Sequence, residues 1–415
     1  MSQTCLGRAC LMAGAVALAP SAHADPLSFT DAVTHAASDS PTVAARADAY
    51  DAARHAITPA GQLPDPQLVL GLQNVPIEGP DRYRLDRDQM TMQSVGIMQD
   101  MRSFAALGAE SAQARAQAER AQANLGVARI DAELNAARAW INIYYAQRRS
   151  EVLARLGQEA HAQARAARAR LSAGGGSVDD AIAAEIDAAR LDDRAAEIGA
   201  AATAARAELR RWIGADADEA LAADAPTFTI DPDHLRDHLQ HHPALAAAEA
   251  DQAVASANLR AAQADRVPDW SWQAMYQHRD PSFGDMASVE VRIGLPLFQH
   301  WRQGPLVEAR RADEASAEAN RAAIEREHVS MLESSLAEYT ATQANLARAR
   351  ETRLPLARQR AEAVTAAFAA GTSSASEMIA ARRDALEAEL DLIDLEEREA
   401  LIGASLTLQY AEPSP

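Results

Sequence analysis

Residues 102–171 contain no proline and only three glycines, Gly108, Gly126 and Gly157, before the chain meets three consecutive glycines in "LSAGGGSVDDAIAAE". A helix of about 70 residues extends on the order of 105 Å at 1.5 Å per residue, several times the ~30 Å hydrocarbon thickness of a bilayer. A compact domain has no room for such a rod, so it must pack against others of similar length. Composition agrees: the 48% hydrophobic fraction rests heavily on alanine and only 4% of residues are aromatic. That suits closely packed helices, where alanine loses little side-chain entropy, better than a bulky core.

The glycine break returns as "AAGTSSASEMIAARR" at 369–383, and other landmarks return with it. Pro41 and Pro243, Pro64-Asp65 and Pro268-Asp269, and Gly174 and Gly371 each lie about 200 residues apart, the mark of a duplication. The spacing predicts a first repeat over 25–225 and a second over 226–415. Each opens with a helix of about 20 residues whose first turn holds Pro41 or Pro243, where a missing N–H costs nothing. Each then breaks, at Leu-Pro-Asp-Pro (63–66) or Val-Pro-Asp (267–269), into two extended segments joined by a polar turn. Strands are predicted at about 66–77 and 88–98, and at 270–278 and 286–297. The second long helix spans about 304–370, where Pro355 should kink or divide it.

Both long helices turn at glycine tips, about 172–178 and 371–376, and return over 177–213 and 376–406. Gly174 and Gly371 supply the left-handed conformation of a helix end. Ser177 and Ser376 are the expected caps of the return helices, with Asp179 and Asp180 at the positive end of the first. Ile182, Ile186 and Leu191 form a partial apolar stripe.

The opening "MSQTCLGRACLMAGAVALAPSAHADP" places Arg8 before an apolar run at 11–19 and an Ala-His-Ala step at 22–24, predicting a signal peptide over 1–24. Cleavage there removes Cys5 and Cys10, which excludes disulfides, thiolate metal sites, a cysteine nucleophile and a lipid anchor on cysteine. The net charge of −19 argues against a nucleic-acid partner, because phosphate would be repelled. No later segment has 18 consecutive apolar residues to form a membrane helix, but β-strands that cross a bilayer are short and alternating. "MASVEVRIGL" alternates in that way, with Ala287, Val289, Val291 and Ile293 on one face and Ser288, Glu290 and Arg292 on the other. Four strands cannot close a barrel, since membrane barrels begin at about 8; three chains together would supply 12.

At this point the sequence resembles the TolC-type outer membrane efflux proteins over nearly all of the chain beyond residue 24. The resemblance is carried by "LPDPQLVLGLQNVPIEG" at 63–79, "SVGIMQD" at 94–100, "VRIGLPLF" at 291–298 and the tips after Gly174 and Gly371. The strand entry is most like the heavy-metal cation branch. The resemblance implies a mainly α, duplicated TolC-like fold with a small membrane β-barrel part: a trimeric 12-stranded barrel on a long α-helical periplasmic tunnel. It implies a non-catalytic conduit in the cell outer membrane, in contact with outer membrane lipid. Its partners would be a periplasmic adaptor and an inner membrane pump of the resistance-nodulation-division class, with no cofactor. Acidic residues after the tip glycine line the periplasmic mouth in this family; the matching positions are Asp180 and Glu377, while a further acidic position falls on Ala380. The tips Gly174, Gly175, Gly176, Gly371 and Thr372 become expected adaptor contacts. The branch's aromatic-Pro-Gly-Lys step after the second strand is replaced here by "MRSFAALGAE".

Enzyme signatures do not appear. The triple glycine has no lysine after it to meet a phosphate. In "HLRDHLQHH", His234 and His238 stand at i,i+4 and could contact a metal, though solvated linker histidines have the same pattern. Two further readings stand beside a heavy-metal channel subunit: an exit duct for small organic compounds or drugs, and a periplasmic adaptor or structural coiled-coil protein that spans no membrane.

Overall fold

A computed structural model describes residues 26–410; the expected signal peptide lies outside them. The first repeat runs α1 (Phe29–Asp39), α2 (Pro41–Ile57), β1 (Gln67–Gln73), β2 (Met92–Met101), α3 (Phe104–Ser172) and α4 (Val178–Ile213). The second runs α5 (Pro232–His238), α6 (Pro243–Ala264), β3 (Trp270–His278), β4 (Met286–Ile293), α7 (Gln303–Arg348), α8 (Leu354–Ala369) and α9 (Ala375–Tyr410). At 69 residues, α3 is on the order of 100 Å long.

The four strands form one antiparallel sheet in the order β1-β2-β3-β4. Strand ends differ from the sequence expectation in the first repeat. β1 stops at Gln73 because Asn74 takes a positive φ of 54°, and β2 begins only at Met92 and continues to Met101. In the second repeat β4 ends at Ile293, four residues short of the expected limit. Pairing brings Leu70 opposite Val95, Val95 opposite Tyr276 and Tyr276 opposite Ala287, which places an apolar row on one face. Those side chains are bare: Leu70 is 70% exposed and Val289 75%. The opposite face is polar, with Gln277 Nε2 donating to Ser288 Oγ at 2.8 Å and Arg292 paired to Glu290 at 2.7 Å. Gly96 lets β2 approach β3 closely, since a Cβ there would stand 2.4 Å from the Ala274 carbonyl oxygen.

Where the sequence lacks a Pro-Gly step, the strand-to-helix joint is made by a cap. Ser103 Oγ accepts from Ala106 N at 3.1 Å and starts α3. Ser103 N in turn donates to Asp269 Oδ1 at 2.8 Å, so the Pro-Asp landmark of the second repeat fixes the joint of the first.

The principal core sits midway along α3. Trp140, fully buried, packs edge-on to Phe29 with ring centroids 5.7 Å apart and stacks on Tyr144 at 5.3 Å. Its indole Nε1 donates to the Leu27 carbonyl at 3.1 Å, and Leu27 bridges to Leu221 in the inter-repeat connector. A second cluster joins Leu235, Leu332, Leu336, Tyr339, Leu406 and Tyr410. Leu390, Ile393, Ala400 and Ala404 of α9 pack into the first cluster, so the repeats meet midway along α3. The expected stripe on α4 is not a buried one: Ile182 and Ile186 are about half exposed, and only Leu191 packs on the core.

Pro355 divides the second long helix. It lacks an N–H and its ring crowds the carbonyl of Glu351, so residues 349–353 widen into a π-helical turn between α7 and α8. No helix among the described residues is long and apolar enough to cross a membrane.

Candidate functional site

The two tips are built alike. After α3, Gly175 N donates to the Arg170 carbonyl and Gly174 N to the Leu171 carbonyl, both at 3.0 Å. After α8, Thr372 N donates to the Ala367 carbonyl and Gly371 N to the Phe368 carbonyl, both at 2.9 Å. This paired closure satisfies the last carbonyls of a helix and requires a left-handed residue, supplied by Gly174 at φ 77° and Gly371 at φ 74°. Gly176 serves differently: a Cβ there would lie 3.1 Å from Leu171 N.

The return helices start differently. Ser177 caps α4, its Oγ accepting from Asp179 N at 3.1 Å, and Asp180 stands exposed in the first turn. In the second repeat the expected cap Ser376 is displaced by Ser374, whose Oγ accepts from Glu377 N at 3.2 Å. Glu377 Oε2 reaches back to accept from Ser374 N at 2.8 Å and from Ser373 Oγ at 2.9 Å. Ser-x-x-Glu is a reciprocal capping box, and Ser374 wins because only it stands three residues before the glutamate. The Ser374 N–H, followed by the two serine hydroxyls, holds the Glu377 carboxyl below the usual carboxylate range.

Ion pairs tie the hairpins together. Within hairpins, Arg168 pairs with Glu185, and Arg360 with Asp384 at 2.6 Å. Between repeats, Arg383 of α9 reaches Asp187 of α4 at 3.9 Å, seven residues past Asp180 and six past Glu377. Farther from the tip, Glu389 takes both Arg155 (2.6 Å) and Arg358 (3.4 Å). Glu396 likewise takes Arg148 and, at 2.8 Å, Arg350 of the π-turn. The structure thus places Asp180 and Glu377 in the first turns of adjacent repeats' return helices and adds Arg383 and Asp187, which sequence reasoning missed. Nothing in sequence pairs residues so far apart.

His234 and His238 lie well away in sequence and element, on α5. The same segment holds a cluster the sequence did not flag. His242 is 8% exposed, with its ring 4.1 Å from His328 and 5.2 Å from Tyr410. His242 Nδ1 accepts from Ala244 N at 3.1 Å and caps α6. Burial, followed by the neighbouring His328, pushes the His242 imidazole down to about 4. His242-Pro243 at a helix start was the only available signal.

An open four-stranded sheet with one bare apolar face is carried here on long helical hairpins. In lipid, the open edges β1 and β4 would need other chains to complete the wall. Residues 235–408 match the family described as outer membrane efflux protein. The fold of the whole chain is that of solved channels. VceC from Vibrio cholerae matches with a TM-score of 0.77 at 17% identity, over 92% of this chain and 96% of that one. CusC matches at 0.72 and 15%, over 93% and 92%; the open-state MtrE channel of Neisseria gonorrhoeae matches at 0.75 and 17%, over 92% and 88%. No curated protein matches the sequence. The second repeat thus matches the outer membrane efflux protein family, and the chain as a whole has the fold of solved outer membrane channels. The matched family and the solved structures of this fold are channels, which favours the channel reading over a non-spanning adaptor.

Proposed function

We propose that three copies close one 12-stranded barrel over one helical tunnel, and that the channel conducts heavy-metal cations delivered by a resistance-nodulation-division pump through a periplasmic adaptor. The trimer is supported by the strand number together with the two open edges, β1 and β4: eight strands are about the smallest membrane barrel, and a third set gives room for a conduit. The cation reading is carried by the strand entry "LPDPQLVLGLQNVPIEG", which resembles the heavy-metal branch. The net charge of −19 is compatible with it, because acidic walls raise local cation concentration. Gly174, Gly175, Gly176, Gly371 and Thr372 form the blunt tips that meet the adaptor.

Asp180 and Glu377 ring the periplasmic mouth, and the Arg383–Asp187 pair holds α4 to α9. Opening is a separation of these return helices that breaks the pair. Single-channel conductance of purified trimers tests this. Arg383→Ala and the Asp180→Ala/Glu377→Ala double variant should both raise open-channel occupancy, and unchanged conductance in both would remove the gate from these residues.

Cargo is tested in a deletion strain carrying wild-type or the double variant, exposed to cobalt, zinc, cadmium, nickel, copper and silver. Hypersensitivity of the deletion strain with raised intracellular levels of a subset is the expected result. Normal handling of every metal, with sensitivity to small organic compounds instead, would transfer the channel to the organic-solute reading.

A further inference from the structure

We propose that Met98 and Met275 form a thioether site for a soft monovalent cation, Ag+ or Cu+, on the polar face of the sheet. Of the chain's 10 methionines, Met92, Met98, Met101, Met275 and Met286 lie in the strands. Strand side chains alternate between faces, and the register puts all of these but Met101 on the side that carries Gln277, Ser288 and Glu290. Under the proposed channel function, on which the setting of the site rests, that face is the wet wall of the conduit. Barrel interiors are polar, so long apolar side chains there serve something other than contact with lipid.

Register and packing bring the two side chains together. Met275 stands directly opposite Gly96, and Met98 directly opposite Gln273, so the methionines are diagonal neighbours on β2 and β3. That spacing of about 7–8 Å is within reach of long side chains. Gly96 leaves room between them, and Met275 leans into it: a Cβ on Gly96 would stand 2.7 Å from Met275 Cγ. Gln273, the residue that faces Met98, donates from Nε2 to Met275 Sδ at 2.6 Å, so the Met275 sulfur lies on the Met98 side. Met286 is the other diagonal neighbour, in the row of Gln277 rather than that of Gln273. A thioether sulfur carries two lone pairs and accepts hydrogen bonds weakly; the neutral amide orients Met275 and leaves the second pair for a cation. Glu290 faces Gln273 from β4, but Arg292 takes it at 2.7 Å, which neutralises the carboxylate in this row. Hard divalent ions are held by carboxylate and carbonyl oxygens, whereas polarisable thioethers select Cu+ and its like. Two neutral sulfurs also hold an ion loosely enough to release it, as conduction requires.

The test uses the channel purified in detergent from outer membranes without an affinity tag, shown free of thiol by a colorimetric reagent. It is titrated with Ag+ in chloride-free nitrate buffer by equilibrium dialysis, and the bound silver is followed by X-ray absorption. Wild type should take up one tight Ag+ per chain with sulfur directly bound. Met98→Leu and Met275→Leu keep volume and apolarity, so a methionine that merely filled space would be replaced without effect. Each should instead weaken uptake at least tenfold with an unchanged melting temperature, and the double variant should lose the silver–sulfur signal. Met101→Leu, on the apolar face opposite Trp270, should change uptake less than threefold. Equal uptake by wild type and the double variant would overturn the assignment, as would bound silver without sulfur or an equal loss in Met101→Leu. Silver and copper tolerance of the deletion strain reports separately on cargo: a wild-type channel that binds Ag+ through these sulfurs yet protects against no metal would remove the metal cargo and leave the site.

Discussion

His242 illustrates how much one position can do. It ends the inter-repeat connector, caps α6 through a neutral Nδ1, and packs its ring on His328 and Tyr410. Because the folded ring titrates at about 4 and an unfolded histidine near 6.5, the unfolded chain binds the proton first as pH falls. The stability is therefore whole above about pH 6.5 and is lost progressively towards pH 4, on the order of 3 kcal/mol per chain. His328, itself pushed down by burial and partly restored by Glu327, adds in the same direction. Thermal melts at pH 7.5 and 5.0 should show a clear drop for wild type and a smaller one for His242→Asn, which keeps a capping acceptor without the titration. Identical pH profiles would mean that His242 does not carry the effect. At the second tip, Ser374→Ala should speed amide exchange at the start of α9 about fivefold, the equivalent of the ~1 kcal/mol of a lost cap. Glu377→Gln keeps an acceptor for Ser374 N and should leave exchange nearly unchanged while removing the charge. Measured together, the two variants separate capping from any role at the mouth.

At the scale of elements, long alanine-rich rods need fasteners along their length. The bridges from Glu389 and Glu396 provide them, each carboxylate taking one arginine from α3 and one from α8 or the π-turn. The Glu396 side chain is 11% exposed and its loss takes the shared partner from both Arg148 and Arg350, which keep access to solvent at 37% and 54% exposure. Glu396→Ala should cost about 2 kcal/mol, the range for hydrogen bonds to charged groups, read as a lower urea midpoint; an unchanged midpoint would show that the bridge contributes nothing net. The long helices were legible in sequence because glycine and proline punctuate them so sparsely. Pro355 was legible as a break, but the π-turn over 349–353 that absorbs it was not, since a proline can equally kink a helix or end it. The replacement of Ser376 by Ser374 as the cap is a lesson in spacing: the serine three residues before an acid closes two bonds, the adjacent one cannot.

The whole molecule is decided at the sheet. Its apolar face is exposed and both edges are open in one chain, so under the proposed channel function membrane insertion and oligomer closure are a single requirement. Gly96→Val would drive a side chain into the Ala274 carbonyl and should break the β2–β3 pairing that joins the repeats. Carbonate-washed outer membranes should then lose the protein while its far-ultraviolet dichroism stays helical; full retention would contradict the pairing. The sequence by itself determined the helix–hairpin–helix order, the glycine turns and the alternating faces of β4, because these depend on residues within a few positions of one another. Only the tertiary structure decided the rest: the order of strands across the repeats, the Asp269 lock on Ser103, the Arg383–Asp187 bridge and the burial of His242. Each joins groups far apart in sequence, and when helices turn back at their tips, packing alone chooses which of many arginines and carboxylates come face to face.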